Sequence, residues 1–152
     1  MKKLTKYLSD LEGKIEQQQL VNTAVSQGAV GWHIEHSLLV INGIVETLKN
    51  SDPSKYKWKF NFPRLITYTT GAFPRGRARA PKSVTPREYD SESLKKHLQN
   101  TFAKIKELDT MPKDKFMTHP FFGDIRTNDT IKFLEIHTYH HLKIMNDIKM
   151  KI

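Results

Sequence analysis

Four stretches of the chain repeat apolar residues every three or four positions, which is the period of an α-helix with one buried face. They predict helices over about 3–22, 29–50, 91–109 and 128–149. A chain of 152 residues is large enough to bury one hydrophobic core without disulfides or structural metals. Amphipathic helices bury their apolar stripes against one another. We therefore expect an all-α fold, a four-helix bundle that forms a single domain over residues 1–152.

A long connection, residues 51–90, separates the second and third predicted helices and contains five of the seven prolines. Connections of this length are uncommon inside compact domains and are usually functional or disordered. We expect it to pack over the bundle as a crossover, because it carries aromatic residues that need burial. The alternation over 64–70 would suit a short strand, although a strand without a partner is marginal. The aromatic residues are Tyr56, Trp58, Phe60, Phe62, Tyr68 and Phe73.

The same connection carries the net charge of the chain. Between Pro53 and Arg87 there are nine basic residues and no acidic one, and the other 16 basic residues balance the 16 acidic ones. This local positive field would attract anions, nucleic acid or an acidic partner. Arg75, Arg77 and Arg79 are candidates for binding the carboxylates of a substrate or of a thiol cofactor, since arginine pairs with planar anions. An exposed loop kept soluble by its charge explains them equally well.

The chain contains no cysteine, which excludes disulfides, thiolate zinc sites and cysteine nucleophiles. No run of eighteen or more apolar residues predicts a membrane span. We expect a cytoplasmic protein without a membrane partner.

Three of the seven histidines fall within five positions near the C-terminus. His137 and His141 are four residues apart, so on a helix they share one face and can meet one ion. His140 is turned roughly 120° from the centre of the apolar stripe and suits a position at the rim. A third ligand must come from another helix. The second helix offers His33 on the flank of its stripe and His36 nearly opposite the stripe, so burial favours His33 while both remain candidates.

Each of these histidines also has a plainer interpretation as a core or surface residue. A single buried histidine more often bonds to protein groups than to a metal, and two histidines four apart on one helix are a weak signal. His97, on a lysine-rich helix face, and His119, in a proline-containing loop, are less persuasive ligands.

Several motifs resemble the DinB-like (DinB/YfiT) superfamily. The stretch HPFFGDIRTNDTIKFLEIHTYHHLKIMNDI is similar to the end of these proteins, where His-Pro-aromatic-aromatic-Gly precedes a last helix bearing His-x-x-x-His. The stretch WHIEHSLLVI resembles the family's second helix, in which a histidine followed by an aliphatic residue and then a serine supplies the third ligand. On that pattern the match is His33, Ile34 and Ser37, and His36 falls where the family more often has a neutral polar residue. The stretch FPRGRARAP is similar to a Pro-Arg-Gly-basic-Ala-Pro loop in one branch of the superfamily.

The resemblance implies a four-helix bundle with a long crossover and a divalent ion, nickel or zinc foremost, held by His33, His137 and His141. Family members with known activity include metal-dependent thiol transferases and a maleylpyruvate isomerase, which use a low-molecular-weight thiol. Their bundle faces often support homodimers.

We therefore expect a metal-dependent enzyme of the thiol-transferase or hydrolase type that acts on a small-molecule substrate. The open positions of a three-histidine site would let the ion activate water or a thiol. His36 and His140 are candidate proton carriers. The alternative is a binding module whose basic, aromatic loop contacts nucleic acid or an acidic partner. No nucleic-acid motif of known spacing appears, which makes the enzyme the preferred interpretation.

Overall fold

The computed structural model describes residues 1–73 and 80–150. Within these ranges the protein is mostly helical, with five α-helices and one two-stranded antiparallel sheet. The helices are α1 (Lys2–Glu12), α2 (Val30–Asn50), α3 (Phe62–Thr70), α4 (Ser91–Ile105) and α5 (Thr127–Met150). The strands are β1 (Phe116–His119) and β2 (Gly123–Arg126). The all-helical prediction is therefore confirmed only in its coarser part, since the chain is mostly but not purely helical.

The four longest helices, α1, α2, α4 and α5, pack around a common core. Helix α2 contacts both α4 and α5, and α1 contacts the same two helices. Residues buried on α2 therefore point in several directions rather than along one stripe. Fully buried core side chains include Leu4, Leu8, Leu11, Ile34, Leu38, Ile41, Leu94, Leu98 and Leu134.

The first predicted helix is too long. Helix α1 ends at Glu12, and the Gly13 N–H bonds to the Ser9 carbonyl as the chain tightens into a short 3₁₀ turn over Ile15–Gln17. Val21, which lies near the end of the predicted helix, is 48% exposed. The second and fourth predicted helices match α2 and α5 to within a residue at each end. The third ends early, because α4 passes into a 3₁₀ turn over Lys106–Asp109.

The crossover contains a helix where the alternating pattern suggested a strand. Helix α3 begins at the Asn61 cap, whose side chain accepts the Arg64 N–H, and Pro63 stands in its first turn. Proline suits that turn because its missing N–H has no helical partner there. The helix ends at Gly71, whose φ of 64° is in the left-handed region that glycine adopts readily. These end signals outweigh the period-two alternation, so the strand interpretation is wrong.

The aromatic residues of the crossover divide into two groups. Tyr68 and Phe73 are partly buried against the core and Tyr56 is partly buried against Phe116, as expected for a segment that packs over the helices. Trp58, Phe60 and Phe62 are instead 67%, 66% and 61% exposed. The prediction that the aromatic residues cover the core is confirmed for the first group and wrong for the second.

The β-hairpin was not predicted from the sequence. Its strands pair in register from Phe116 opposite Arg126 to His119 opposite Gly123, and both strands contact α5. Strands of four residues are too short to show a clear alternation. The hairpin brings His119 beside the histidines of α5. No helix in the described parts of the chain is both long and apolar enough to cross a bilayer.

Candidate metal centre

Three histidines from two helices converge. His36 of α2 and His137 and His141 of α5 each place one ring nitrogen within 4.8 Å of the others. Their ring centroids lie 4.6 to 5.1 Å apart. Ligand nitrogens around a tetrahedral ion with bonds of about 2.1 Å are about 3.4 Å apart, so small side-chain adjustments would bring the three onto one ion.

The helices dictate this convergence. His137 and His141 are one turn apart on α5 and project toward α2, which packs against α5. Trp32, one turn before His36, stacks on its ring with a centroid distance of 5.0 Å and an angle of 14°. Phe133, one turn before His137, stacks in the same way on that ring at 5.8 Å. Two of the three ligand candidates, His36 and His137, therefore have a stacked aromatic neighbour that restricts their rotation.

The hydrogen bond of His36 fixes its tautomer. Nδ1 of His36 donates to the carbonyl oxygen of Val84 over 2.8 Å, so Nδ1 carries the proton and Nε2 keeps its lone pair. Metal-binding histidines commonly donate their second nitrogen to a carbonyl in this way. Burial lowers the pKa of His36, which favours the same neutral form.

His141 is held by His33. Their Nδ1 atoms are 2.9 Å apart, and Nε2 of His33 lies 2.9 Å from the hydroxyl of Ser26. If Nε2 of His141 has the free lone pair, its Nδ1–H donates to His33, and His33 donates in turn to Ser26. His33 would then orient a ligand instead of being one.

His137 shows the clearest need for a group outside the polypeptide. Its Nδ1 is buried and has no hydrogen-bond partner among the described residues. Buried polar atoms are nearly always paired. An imidazole with an unpaired buried nitrogen, next to His36 with its fixed tautomer and to His141, fits a cation site.

The protonation states favour a cation as well. Burial, and then the repulsion of neighbouring imidazoles, holds the pKa of His137 and of His141 well below the usual value of 6.5. Neutral imidazole is the form that binds metals. Protonation of one ring would place a positive charge in a buried site beside the other imidazoles. A bound cation would instead be coordinated by the lone pairs of the neutral rings.

The structure brings together two of the three predicted ligands and a different third histidine. His137 and His141 converge, but His36 and not His33 completes the group. Both α2 histidines are buried, at 3% exposed for His33 and 5% for His36. The apolar stripe of α2 favoured His33 because it gives no sign that the crossover, through Val84, contacts the other side of the helix at His36. Val84 is 48 positions from His36 in the sequence, so no local pattern predicts their contact.

Other predicted residues lie around or outside the cluster. His140 lines the same cleft, with its ring 5.2 Å from that of His141 and 5.7 Å from Phe73. His97 lines another part of the same cleft but is not one of the three converging histidines, and its Nδ1 is 2.9 Å from the carboxylate of Glu35. Arg75, Arg77 and Arg79 lie outside the described residues, so their predicted anion binding stays a prediction.

His119, judged a less persuasive ligand from the sequence, lines the same cleft. Its Nδ1 accepts the backbone N–H groups of Phe121 and Phe122, and its ring stacks on Phe122 at 4.5 Å. Burial lowers the pKa of His119 to about 4. The His-Pro-Phe-Phe-Gly lead-in contained the signal, because a histidine just before a tight turn can accept the turn's amides.

The cluster lies in a cleft of about 1800 Å³. Its walls come from α2, the crossover, α4, the hairpin and α5, and about half of its lining side chains are apolar. No family model, curated protein or solved structure matches the chain.

Proposed function

We propose that His36, His137 and His141 bind a divalent transition metal, with nickel or zinc foremost, and that the protein is a metal-dependent enzyme acting on a small molecule. The observation that carries this proposal is the convergence of three imidazoles: His36 donates its Nδ1–H to Val84, His141 is paired with His33, and the buried Nδ1 of His137 has no partner among the described residues. Imidazole donors suit zinc, nickel and copper better than calcium or magnesium.

Three protein ligands leave at least one coordination position for water or substrate. A bound ion would supply a Lewis acid that lowers the pKa of a coordinated water or thiol. With no cysteine in the chain, a thiol would have to arrive as a cofactor or substrate. We therefore propose thiol transfer or hydrolysis as the reaction class, with His140 at the edge of the cluster as the candidate proton carrier.

Membership of the DinB-like superfamily is part of the proposal. Support comes from the His-x-x-x-His pair on the last helix and from the packing of the four longest helices around one core. The proposal moves the second-helix ligand from His33 to His36. A homodimer and a cytoplasmic location belong to the same proposal, and sedimentation of the purified protein tests the first of these.

Elemental analysis of purified variants tests the site. We expect about one ion per chain in the wild type after expression with added nickel or zinc, and severe loss in His36→Ala, His137→Ala and His141→Ala. His97→Ala is the matched control, since it removes a partly buried imidazole outside the cluster. Equal metal content in all four variants, or a wild type without metal, would refute the proposal.

A second candidate function concerns the exposed part of the crossover. Trp58 and Phe60 are two-thirds exposed and alternate with the exposed Lys57 and Lys59. Aromatic side chains interleaved with cations can stack on bases and neutralise phosphates. The backbone N–H of Lys57 bonds to the Asp124 carboxylate, which helps to hold the segment against the hairpin. We propose nucleic acid, or an acidic protein, as the partner under this alternative.

Titration with a labelled single-stranded oligonucleotide at low and physiological salt tests the alternative. Binding that weakens steeply with salt and is lost in Trp58→Ala, Phe60→Ala would support it. Absence of binding at low salt would remove it. Val21→Ala is a suitable control, because that apolar side chain is also exposed but lies outside the basic segment.

A further inference from the structure

The cleft continues from the histidine cluster to an apolar rim. Near the cluster its lining includes Phe73 and Phe133, and farther along it includes Phe62, Ile66 and Phe121. These last three side chains are 61%, 45% and 64% exposed. They come from α3 and the hairpin turn and line one cavity. An apolar surface thus runs from the candidate metal centre toward bulk water.

The rim is held in this exposed arrangement by the protein. The Asn61 side-chain amide donates to the Phe121 carbonyl, and the Arg64 guanidinium donates to the carbonyls of Phe122 and Asp124. These bonds fasten the start of α3 to the hairpin. The apolar side chains are therefore presented on anchored backbone, as a preformed ligand surface requires.

His119 offers a hydrogen-bond donor near the inner end of the cleft. Because its Nδ1 accepts two backbone N–H groups, its proton must be on Nε2. The His119 ring lies 5.0 Å from Phe133, whose ring stacks on that of His137. The neutral Nε2–H suits an oxygen acceptor such as a carboxylate or carbonyl.

The charged residues in the described lining of the cleft leave room for an anionic head group. The acidic side chains in its lining, Glu46 and Glu107, are both paired with lysines. A carboxylate would therefore enter without meeting an unpaired acid among the described lining residues.

We propose that the cleft binds an amphiphilic carboxylic acid, with its head beside His119 and the three-histidine cluster and its apolar chain along Phe73, Phe62 and Ile66. The position of the ligand's carboxylate head rests on the proposed metal function, whereas the position of the ligand's apolar chain rests on the cleft alone. A small, wholly polar substrate would leave this apolar lining in contact with water, so an apolar chain accounts better for it.

Calorimetric titration with butanoate, hexanoate, octanoate and decanoate tests the proposal on the full chain loaded with zinc. Burial of each methylene contributes about 0.8 kcal/mol, which is about a fourfold gain in affinity. We expect affinity to rise along the series by up to this factor per methylene. Equal affinities for butanoate and decanoate would overturn the proposal.

Substitutions at two positions test the binding of the ligand's apolar chain and of its carboxylate head separately. Ile66→Ser should reduce the gain per methylene, whereas Leu65→Ser should not, because Leu65 is equally accessible on α3 but does not line the cleft. His119→Phe should weaken all four ligands by the same factor, since it removes the donor and keeps the ring. An identical effect of Ile66→Ser and Leu65→Ser on the gain in affinity per methylene would contradict the placement of the ligand's apolar chain beside Ile66.

Repeating the titrations with the carboxylate series after removal of the metal distinguishes this inference from the proposed function. If the cluster binds no metal but affinity still rises with chain length, the function fails and the apolar site stands. If metal binds but the series is flat, the function stands and the amphiphile is wrong. A flat series together with a dimer that dissociates in Phe62→Ser would mean that a second copy of the chain covers the rim, which also overturns the proposal.

Discussion

At the scale of single residues, the account depends on which nitrogen of each histidine is free. The hydrogen bond to the Val84 carbonyl fixes the tautomer of His36, and His141 is paired with His33. The difference between a ligand and its support lies in these bonds and not in burial, since His33 and His36 are buried alike. This distinction separates the effects of substituting the two histidines.

Substitution of His33 should weaken metal binding without abolishing it. Loss of a residue that orients a ligand typically costs 10- to 100-fold in affinity. We expect His33→Ala to show a dissociation constant raised by about that factor, with one ion still bound at saturation, whereas His36→Ala loses the site. Competition with a chromogenic chelator measures both. A His33 variant that binds no metal, beside a His36 variant that binds normally, would restore His33 as the ligand.

The buried histidines also make stability depend on pH. His119 has a pKa of about 4 in the folded chain, below the usual 6.5, so the unfolded state takes up its proton first as pH falls. The metal-free protein should therefore be most stable above pH 6.5 and lose stability between about 6.5 and 4, by at most about 1.4 kcal/mol per pH unit for His119 alone. Urea unfolding at several pH values measures this, and His119→Phe should show a shallower slope. Stability that rises as pH falls through this range would contradict the buried, neutral assignment.

At the scale of elements, the start of α2 sets the position of its two histidines. Gly31 lies against the Tyr89 ring and the Gln18 side chain, and an added Cβ would clash with Tyr89. Farther along the same helix, Gly43 has open space around it. The two glycines thus provide a matched pair.

We expect Gly31→Ala to destabilise the protein and to weaken metal binding, because α2 or Tyr89 must move beside His33. Gly43→Ala should stabilise the protein by about 0.5–1 kcal/mol, since alanine favours helix over glycine. Thermal unfolding together with metal titration measures both effects. A Gly31→Ala protein as stable as Gly43→Ala would show that the close approach to Tyr89 is wrong.

Helix α3 is the element that the sequence pattern misjudged, and its cap provides a test. Asn61→Ala removes both the cap of α3 and the bond to the Phe121 carbonyl. Loss of a cap costs about 1 kcal/mol. We expect faster amide hydrogen exchange in α3 with little change in the four longer helices, because Thr67 is the only buried residue of α3. Exchange that accelerates equally throughout α2 and α5 would contradict this.

At the scale of the whole molecule, the sequence predicted what depends on local periodicity. The long amphipathic segments gave α2 and α5 nearly to the residue, and they put His137 and His141 on one face. What the sequence could not show depends on contacts between distant segments. His36 is buried by Val84 of the crossover, and His119 reaches α5 only through a hairpin of four-residue strands. The choice between His33 and His36 needed that tertiary contact.

Metal binding should stabilise the whole fold, since the ligands come from two helices that unfolding separates. Ligand at 1,000 times its dissociation constant adds about 4 kcal/mol to the free energy of unfolding. We expect the unfolding midpoint to rise with added zinc in the wild type and in His97→Ala, and not in His36→Ala. A rise of equal size in His36→Ala would place the ion elsewhere.

The most direct test of the central claim is a crystal structure of the metal-loaded protein with anomalous diffraction measured at the absorption edge of the metal. The account predicts one strong anomalous peak within bonding distance of a ring nitrogen from each of His36, His137 and His141, with Nδ1 of His36 still donating to Val84. A peak coordinated by His33 in place of His36, or no peak within reach of the three rings, would contradict it.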